Sequence, residues 1–242
     1  MKYFWAALQF LTPWPWPKRV ERSAEEIGRS TAFFPVVGFA LGLILVFINW
    51  LLHSLITSGL LSVLLVTALI LATRGLHLDG LADTFDGLGA GGDRERVLAV
   101  MDDSHIGVFG VAAIVLVILI KAQAIDALGD NRWRALLLAP VLSRWAMVLL
   151  AYRSKSAKEG LGSLMIANMD SSHFLGATLL TLMFSVAIQR SVGIALVAWI
   201  VLFTLACKAF FHRRLGGVTG DTLGAVGELS EASVLILLAF GH

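Results

Sequence analysis

The run Gly107-Val-Phe-Gly-Val-Ala-Ala-Ile-Val-Leu-Val-Ile-Leu-Ile-Lys121-Ala-Gln-Ala-Ile-Asp-Ala127 decides the fold. It is as long as the ~20 residues a helix needs to cross a hydrocarbon core. Its only charges are Lys121 and Asp126. Runs of the same kind lie at roughly 33–52, 60–78, 135–152, 174–189, 191–211 and 222–241. Across the 242 residues, 57% are hydrophobic and only 15% charged, where a soluble domain has about 45–50% and about 25%. The reading is an all-α, polytopic integral membrane helical bundle of about six to seven spans, with the whole of 1–242 one membrane domain.

The rest of the composition narrows the class. A net charge of +2 gives no basis for a nucleic-acid partner, and the single Cys207 excludes a disulfide framework or a cysteine metal site within one chain. The first eleven residues are too short for a signal sequence with an ordinary cleavage site. They read as an amphipathic interfacial segment within a 1–30 N-terminal stretch, with Trp14 and Trp16 at headgroup level.

Orientation follows from Lys and Arg. With seven spans and an inner N-terminus, the inner segments hold Lys2, Lys18, Arg19, Arg22, Arg29, Arg74, Arg94, Arg96, Arg153, Lys155, Lys158, Arg213 and Arg214. The outer loops hold only Arg132, Arg134 and Arg190. That asymmetry places loops 74–106, 153–173 and 212–221 together on the cytoplasmic side.

The densest polar stretch runs Arg74-Gly-Leu-His77-Leu-Asp79-Gly-Leu-Ala-Asp83-Thr-Phe-Asp86-Gly and continues to Met101-Asp-Asp103-Ser-His105-Ile-Gly. Asp79, Asp83 and Asp86 fall within ~60° of one helical face. Three carboxylates so close repel one another, and a hard divalent cation with oxygen ligands offsets that repulsion. The stripe reads as the end of a membrane helix whose polar side points into the bundle. Asp102 or Asp103, folding back after the glycine-rich turn, completes a second metal position, and 74–106 becomes the cytoplasmic acidic active-site segment.

Further along, Gly216-Gly-Val-Thr219-Gly220-Asp221 precedes Glu228, placing Asp221 and Glu228 on one helical face behind a loop that reads either as backbone N–H donors suited to phosphate oxygens or as a capped helix start with Thr219 or Asp221 as N-cap. Lys121, Arg144 and Lys208 lie inside apolar spans, where each can snorkel or pair with an acid, while three cations beside an acidic metal site also suit a diphosphate substrate. His77 and His105 flank the acids. The stretch Arg153-Ser-Lys-Ser-Ala-Lys158-Glu-Gly-Leu-Gly reads as a flexible cytoplasmic loop that sets topology, with covering a nucleotide as the second reading.

The strings His77-Leu-Asp-Gly-Leu-Ala-Asp-Thr-Phe-Asp-Gly87, Met101-Asp-Asp-Ser-His-Ile-Gly107 and Leu215-Gly-Gly-Val-Thr-Gly-Asp-Thr-Leu-Gly-Ala225 resemble those of the adenosylcobinamide-GDP ribazoletransferase (cobalamin synthase) family. Leu8-Gln-Phe-Leu-Thr12 and Phe34-Pro-Val-Val-Gly38 extend the resemblance almost end to end. Pro13-Trp14-Pro15-Trp16 departs from it, standing where the family often has an Arg-Ile-Pro-like run. The resemblance implies a Mg²⁺-dependent enzyme of the bacterial inner membrane. It joins adenosylcobinamide-GDP to α-ribazole or its 5′-phosphate and releases GMP. It further implies Asp79, Asp83, Asp86 and Asp103 as metal ligands, with Asp221 and Glu228 as outer or additional ones. Asp83, Asp86 and Asp103 are then the catalytic carboxylates, with Asp103 taking the hydroxyl proton. Arg74, Lys121 and Arg144, with Thr219 and Gly220, hold the phosphates. Small-residue helix faces allow a homo-oligomer.

Two other classes compete. A CDP-alcohol phosphotransferase also reads nucleotide diphosphates with helix-borne aspartates, but its motif begins Asp-Gly-x-x-Ala-Arg, whereas Asp79-Gly-Leu-Ala-Asp83 has Ala fourth and no Arg after it. An ion-coupled transporter would use the intramembrane charges as a pathway. It should show repeated halves, which this sequence lacks, and its acids should span the bilayer, whereas these cluster towards one face.

Overall fold

The computed structural model describes residues 2–12 and 23–240. Trp14, Trp16 and the proline-broken stretch around them lie outside those residues. The described chain forms α1 (Lys2–Leu11), α2 (Ala24–Ser30), α3 (Phe34–Leu52), α4 (Ser58–Thr73), α5 (Leu76–Ala90), α6 (Arg94–Met101), α7 (Val108–Ala127), α8 (Arg132–Ala151), α9 (Leu161–Asn168), α10 (Ser171–Leu215) and α11 (Gly220–Phe240). The protein is an all-α membrane bundle, as the apolar runs require.

Five of these helices are each long and apolar enough to cross a membrane: the α2–α3 segment, α7, α8, α10 and α11. α4 and α5 meet that test only as a pair, and they are bent by 91°. The corner is built from backbone. Arg74 (φ 52°) and Gly75 (φ 70°) both take the left-handed conformation, and the Gly75 N–H reaches back to the Ile70 carbonyl at 2.9 Å, a helix-ending turn for which glycine is the favoured residue. This corrects the expected span 60–78. The membrane helix stops at Thr73, and the acidic stripe occupies a separate helix turned across the end of the bundle. α5 packs along α7 from Leu78, beside Ile118, back to Asp86 at Gly107 and Gly110, and its Gly80 meets Asp221 at the start of α11.

α10 also departs from a single rod. Forty-five residues of straight helix would extend about 68 Å. Yet Tyr152 hydrogen-bonds Ser171 and stacks on Phe174 at the start of α10, while its carbonyl accepts from Lys208 near the end. The reversal is at Arg190 (φ 50°, ψ −124°). Gly193 then packs so closely on the Ser185 carbonyl that a Cβ there would overlap it. Residues 171–189 and 191–215 are therefore two antiparallel legs, as the expected runs at 174–189 and 191–211 have it. With the α2–α3 segment, α7, α8 and α11, the described residues hold six stretches long and apolar enough to cross a membrane, besides the bent α4–α5 pair.

α8 is the axis of the bundle. Every residue from Ala135 to Ala151 is buried, whereas α3, α7 and α10 keep broad exposed apolar faces such as Leu43, Ile44, Leu116, Leu119, Leu179 and Leu202. A soluble protein would hide such faces; in a bilayer they meet lipid. On the side of the α4–α5 corner, α1 and α2 pack together through the Lys2–Glu26 ion pair, with Trp5 left exposed.

Candidate active site

The two loops that meet the α5 helix are locked together before any acid is placed. Ala157 donates to the Val218 carbonyl and Val218 to the Lys155 carbonyl, both at 2.9 Å. Arg94 of α6 clamps the same pair through the carbonyls of Leu215 (2.6 Å) and Ala157 (3.2 Å). This fixes residues 155–158 over the start of α11. α5 then approaches α11 at Gly80, where an added Cβ would stand 2.8 Å from the Asp221 carbonyl oxygen.

The result is a cleft of about 830 Å³ at this end of the bundle, lined by Arg74, Asp79, Asp83, Asp102, Asp103, Lys158 and Asp221 among others. A smaller lobe of about 270 Å³ adjoins it and shares Leu76, Asp79, Lys158 and Asp221; its own walls include Phe10, His77, Met147 and Leu161. Carboxylates from α5, from the loop after α6 and from α11 thus face one space. Lys158 stands among them, 2.6 Å from Asp102 and 2.9 Å from Asp221. Burial lowers the Lys158 pKa, but hydrogen bonds to the two carboxylates outweigh it, and the net shift is upward.

Two of the acids have opposite environments. Burial, then the charges of Asp79 and Asp221, push Asp83 up to about 6. Asp103 accepts from the His105 backbone N–H at 2.9 Å and from its ring Nδ1 at 2.7 Å, and these bonds hold it below the usual carboxylate range. A weakly basic Asp103 is the poorer proton acceptor of the two.

Several expected site residues stand elsewhere. Asp86 turns to the N-terminus of α7, where it accepts from Gly107 N–H at 2.7 Å and Gly110 N–H at 2.8 Å. Both glycines are needed there, because a Cβ on either would collide with the carboxylate. This carboxylate caps a helix, a strong use of a buried acid. Thr219 is likewise a cap: it is buried, and its hydroxyl accepts from the Thr222 N–H at 3.2 Å. Gly220 does line the smaller lobe.

Glu228 is seven residues beyond Asp221, about 10.5 Å further down the helix axis. There it meets Lys121 at 2.5 Å; Lys121 also meets Glu231 at 2.8 Å, and Glu231 meets Arg144 at 2.8 Å. All four are buried and none lines the cleft. Lys121 and Arg144 therefore neutralise two intramembrane glutamates, in place of the phosphates expected for them. Lys208 is taken by the Tyr152 carbonyl. His77 is buried with both ring nitrogens unpartnered at the edge of the smaller lobe, and His105 is exposed.

Lys158 is the residue that sequence reasoning missed. Its signal was present: a basic loop assigned to the same side of the membrane as the acids.

A hard divalent cation suits an all-carboxylate donor set. Among the described residues no three acids or histidines converge closely enough to hold an ion unaided.

The model of one protein family, described as cobalamin-5-phosphate synthase, matches residues 3–239. An adenosylcobinamide-GDP ribazoletransferase of Geotalea daltonii is 43% identical over 239 residues, covering 98% of this chain and 97% of the relative. Proteins of the same name from Roseiflexus sp. and Syntrophobacter fumaroxidans are each 39% identical; they cover 96% of this chain and 87% and 96% of their own lengths. No solved structure matches.

Proposed function

This chain belongs to the cobalamin-5-phosphate synthase family, and on that premise we propose that it is an adenosylcobinamide-GDP ribazoletransferase of the bacterial inner membrane, working with Mg²⁺ on the cytoplasmic side. It joins adenosylcobinamide-GDP to α-ribazole or α-ribazole 5′-phosphate. A ribose oxygen forms a new bond to one phosphorus of the diphosphate, the bond from that phosphorus to GMP breaks, and the hydroxyl proton passes to a carboxylate.

The observation that carries this reading is one open cleft lined by Asp79, Asp83, Asp102 and Asp221, with the Lys158 ammonium paired to Asp102 and Asp221. Phosphoryl transfer of this kind depends on positioning and charge neutralisation more than on covalent catalysis. One or two of Asp79, Asp83, Asp102, Asp103 and Asp221 would hold Mg²⁺, with water and the diphosphate filling its other positions. The ion supplies charge neutralisation at the diphosphate oxygens. Lys158 leaves its carboxylates for the phosphate of departing GMP, and Arg74 holds the diphosphate from the cleft wall. Asp83, whose carboxyl is pushed up by burial and by its acidic neighbours, takes the hydroxyl proton. The lobe walled by Phe10, Met147 and Leu161 receives the flat base of α-ribazole.

The test is GMP release by purified protein in detergent or liposomes, given adenosylcobinamide-GDP, α-ribazole and Mg²⁺, with and without chelator. Release that needs both Mg²⁺ and α-ribazole supports the assignment. No GMP from protein shown to be folded overturns it. Cation movement in liposomes without nucleotide would favour a transporter.

A further inference from the structure

A second cavity, of about 510 Å³, opens at the far end of the bundle from the acidic cleft. It lies among the last turns of α3, the first turn of α4 and the start of α8, with Asn49, Trp50, His53, Ser58, Arg132 and Trp133 in its wall. Arg132 is only 7% exposed. Its Nε donates to the Gly129 carbonyl at 2.7 Å and its Nη2 to Ser58 Oγ at 2.6 Å, while Nη1 has no partner. Both partners are neutral, and among the described residues no carboxylate pairs with this guanidinium.

A buried cation without a counter-charge is costly, and structures normally pair it. The other buried cations of this protein follow that rule: Lys121 and Arg144 share two glutamates. Among the described residues Arg132 is the exception, and it stands in a cavity. A planar guanidinium with a free N–H matches a phosphate oxygen. Asn49 Oδ1, buried in the same wall, also has no partner and can accept from a hydroxyl or ammonium group.

The surroundings say how such an anion arrives. Trp50 (65% exposed) and Trp133 (39%) form the rim, the pattern of a membrane–water interface. On α3 beside them, Leu43, Ile44, Phe47 and Leu51 are exposed to the bilayer. We propose that this cavity seats the phosphate of a glycerophospholipid headgroup from the leaflet opposite the acidic cleft. Arg132 Nη1 holds the phosphate, Asn49 Oδ1 accepts from the rest of the headgroup, and the acyl chains lie along α3. The site is a structural lipid anchor at the end of the bundle that the reaction does not use.

The experiment follows thermal unfolding of delipidated protein in an uncharged maltoside while dioleoylphosphatidylglycerol is added. Dioleoylglycerol supplies the same chains without phosphate, and inorganic phosphate supplies the anion without chains. Asn49→Asp places a carboxylate in the cavity, so Arg132 gains a partner without being removed. The expected result for the wild-type protein is a saturable rise in Tm with the phospholipid alone. Asn49→Asp should start from a higher Tm and bind the phospholipid at least about tenfold more weakly, as charge repulsion at a desolvated site predicts. Arg132→Gln, where it folds, should lose the response. An equal response from wild type and Asn49→Asp would overturn the proposal. So would an equal rise with dioleoylglycerol, which assigns the effect to the chains, or with inorganic phosphate, which assigns the site to a soluble anion.

Discussion

Lys158, on the loop after α8, stands 2.9 Å from the Asp221 carboxylate in the first turn of α11. The pairing of Lys155 and Ala157 with Val218 sets that distance, because it fixes the loop to the segment leading into α11. The same ammonium reaches Asp102 at 2.6 Å, so one cation ties the loop after α6 to α11 across the mouth of the cleft. Without substrate it offsets repulsion among acids; in the proposed reaction it is the mobile positive charge of the site.

Lys158→Met should therefore lower kcat/KM by about 10²–10³-fold, the range seen when one charge-stabilising donor is removed from a transfer site. Lys158→Arg should recover part of that loss, since the charge remains and only its reach changes. Steady-state GMP release over a range of substrate concentrations measures both. Lys158→Met with unchanged kinetics would leave the residue a loop tether only.

Asp86→Asn should behave as a capping variant. It removes one of two acceptors that satisfy the Gly107 and Gly110 N–H groups, at a cost of about 1–2 kcal/mol. The Mg²⁺ concentration for half-maximal activity should not move. Thermal unfolding in detergent and a Mg²⁺ titration of activity separate the two effects. A large shift in Mg²⁺ dependence with stability intact would return Asp86 to the metal.

Asp83 should control the acid side of the pH profile. With its carboxyl pushed up to about 6, kcat/KM should rise with pH through that region and then level off, because the protonated acid neither binds a cation nor accepts a proton. Added Mg²⁺, which competes with the proton, should move the limb to lower pH. Asp83→Asn should cost at least about 10²-fold in activity, the scale of a lost general base, and abolish the limb. Stability should change the other way. The folded pKa lies above the ordinary value of 3.8, so the folded state binds more proton between about pH 4 and pH 6, and this group's favourable share is lost as pH rises through that window. Asp83→Asn should then raise Tm at neutral pH without Mg²⁺.

The membrane passages were legible because composition alone marks them, and the Arg190 reversal falls between two separately visible runs. The end of α4 was not legible. Leu76 and Leu78 continue the apolar composition past Thr73, and hydropathy carries no information about the direction of the backbone; Gly75 after Arg74 was the available clue. Asp79, Asp83, Asp103 and Asp221 reached the cleft because their spacing keeps them at helix starts and turns on one side of the bundle. Asp86 was misplaced because its partner is a helix N-terminus 21 residues away that folds back onto it. Lys121 and Arg144 were open to either an acid partner or a phosphate, because Glu231, three residues after Glu228, was overlooked as the second counter-charge. Two cations and two acids within apolar spans are better paired with each other first.

Lys121 tests that last point. If its charge serves Glu228 and Glu231, Lys121→Met leaves two buried carboxylates with only Arg144 between them. Breaking one side of a buried ion pair costs about 3–5 kcal/mol, so the variant should unfold at a much lower temperature in detergent. Its surviving folded fraction should turn over substrate with nearly wild-type KM, since neither Lys121 nor its partners line the cleft. Adding Glu228→Gln should restore much of the stability, because the doubly substituted site carries one fewer unpaired charge. A phosphate-binding Lys121 predicts the reverse pattern, a stable protein with a raised KM for adenosylcobinamide-GDP that Glu228→Gln does not repair. Unfolding temperature and KM measured on the same three variants therefore decide between a buried neutralising network and a substrate contact.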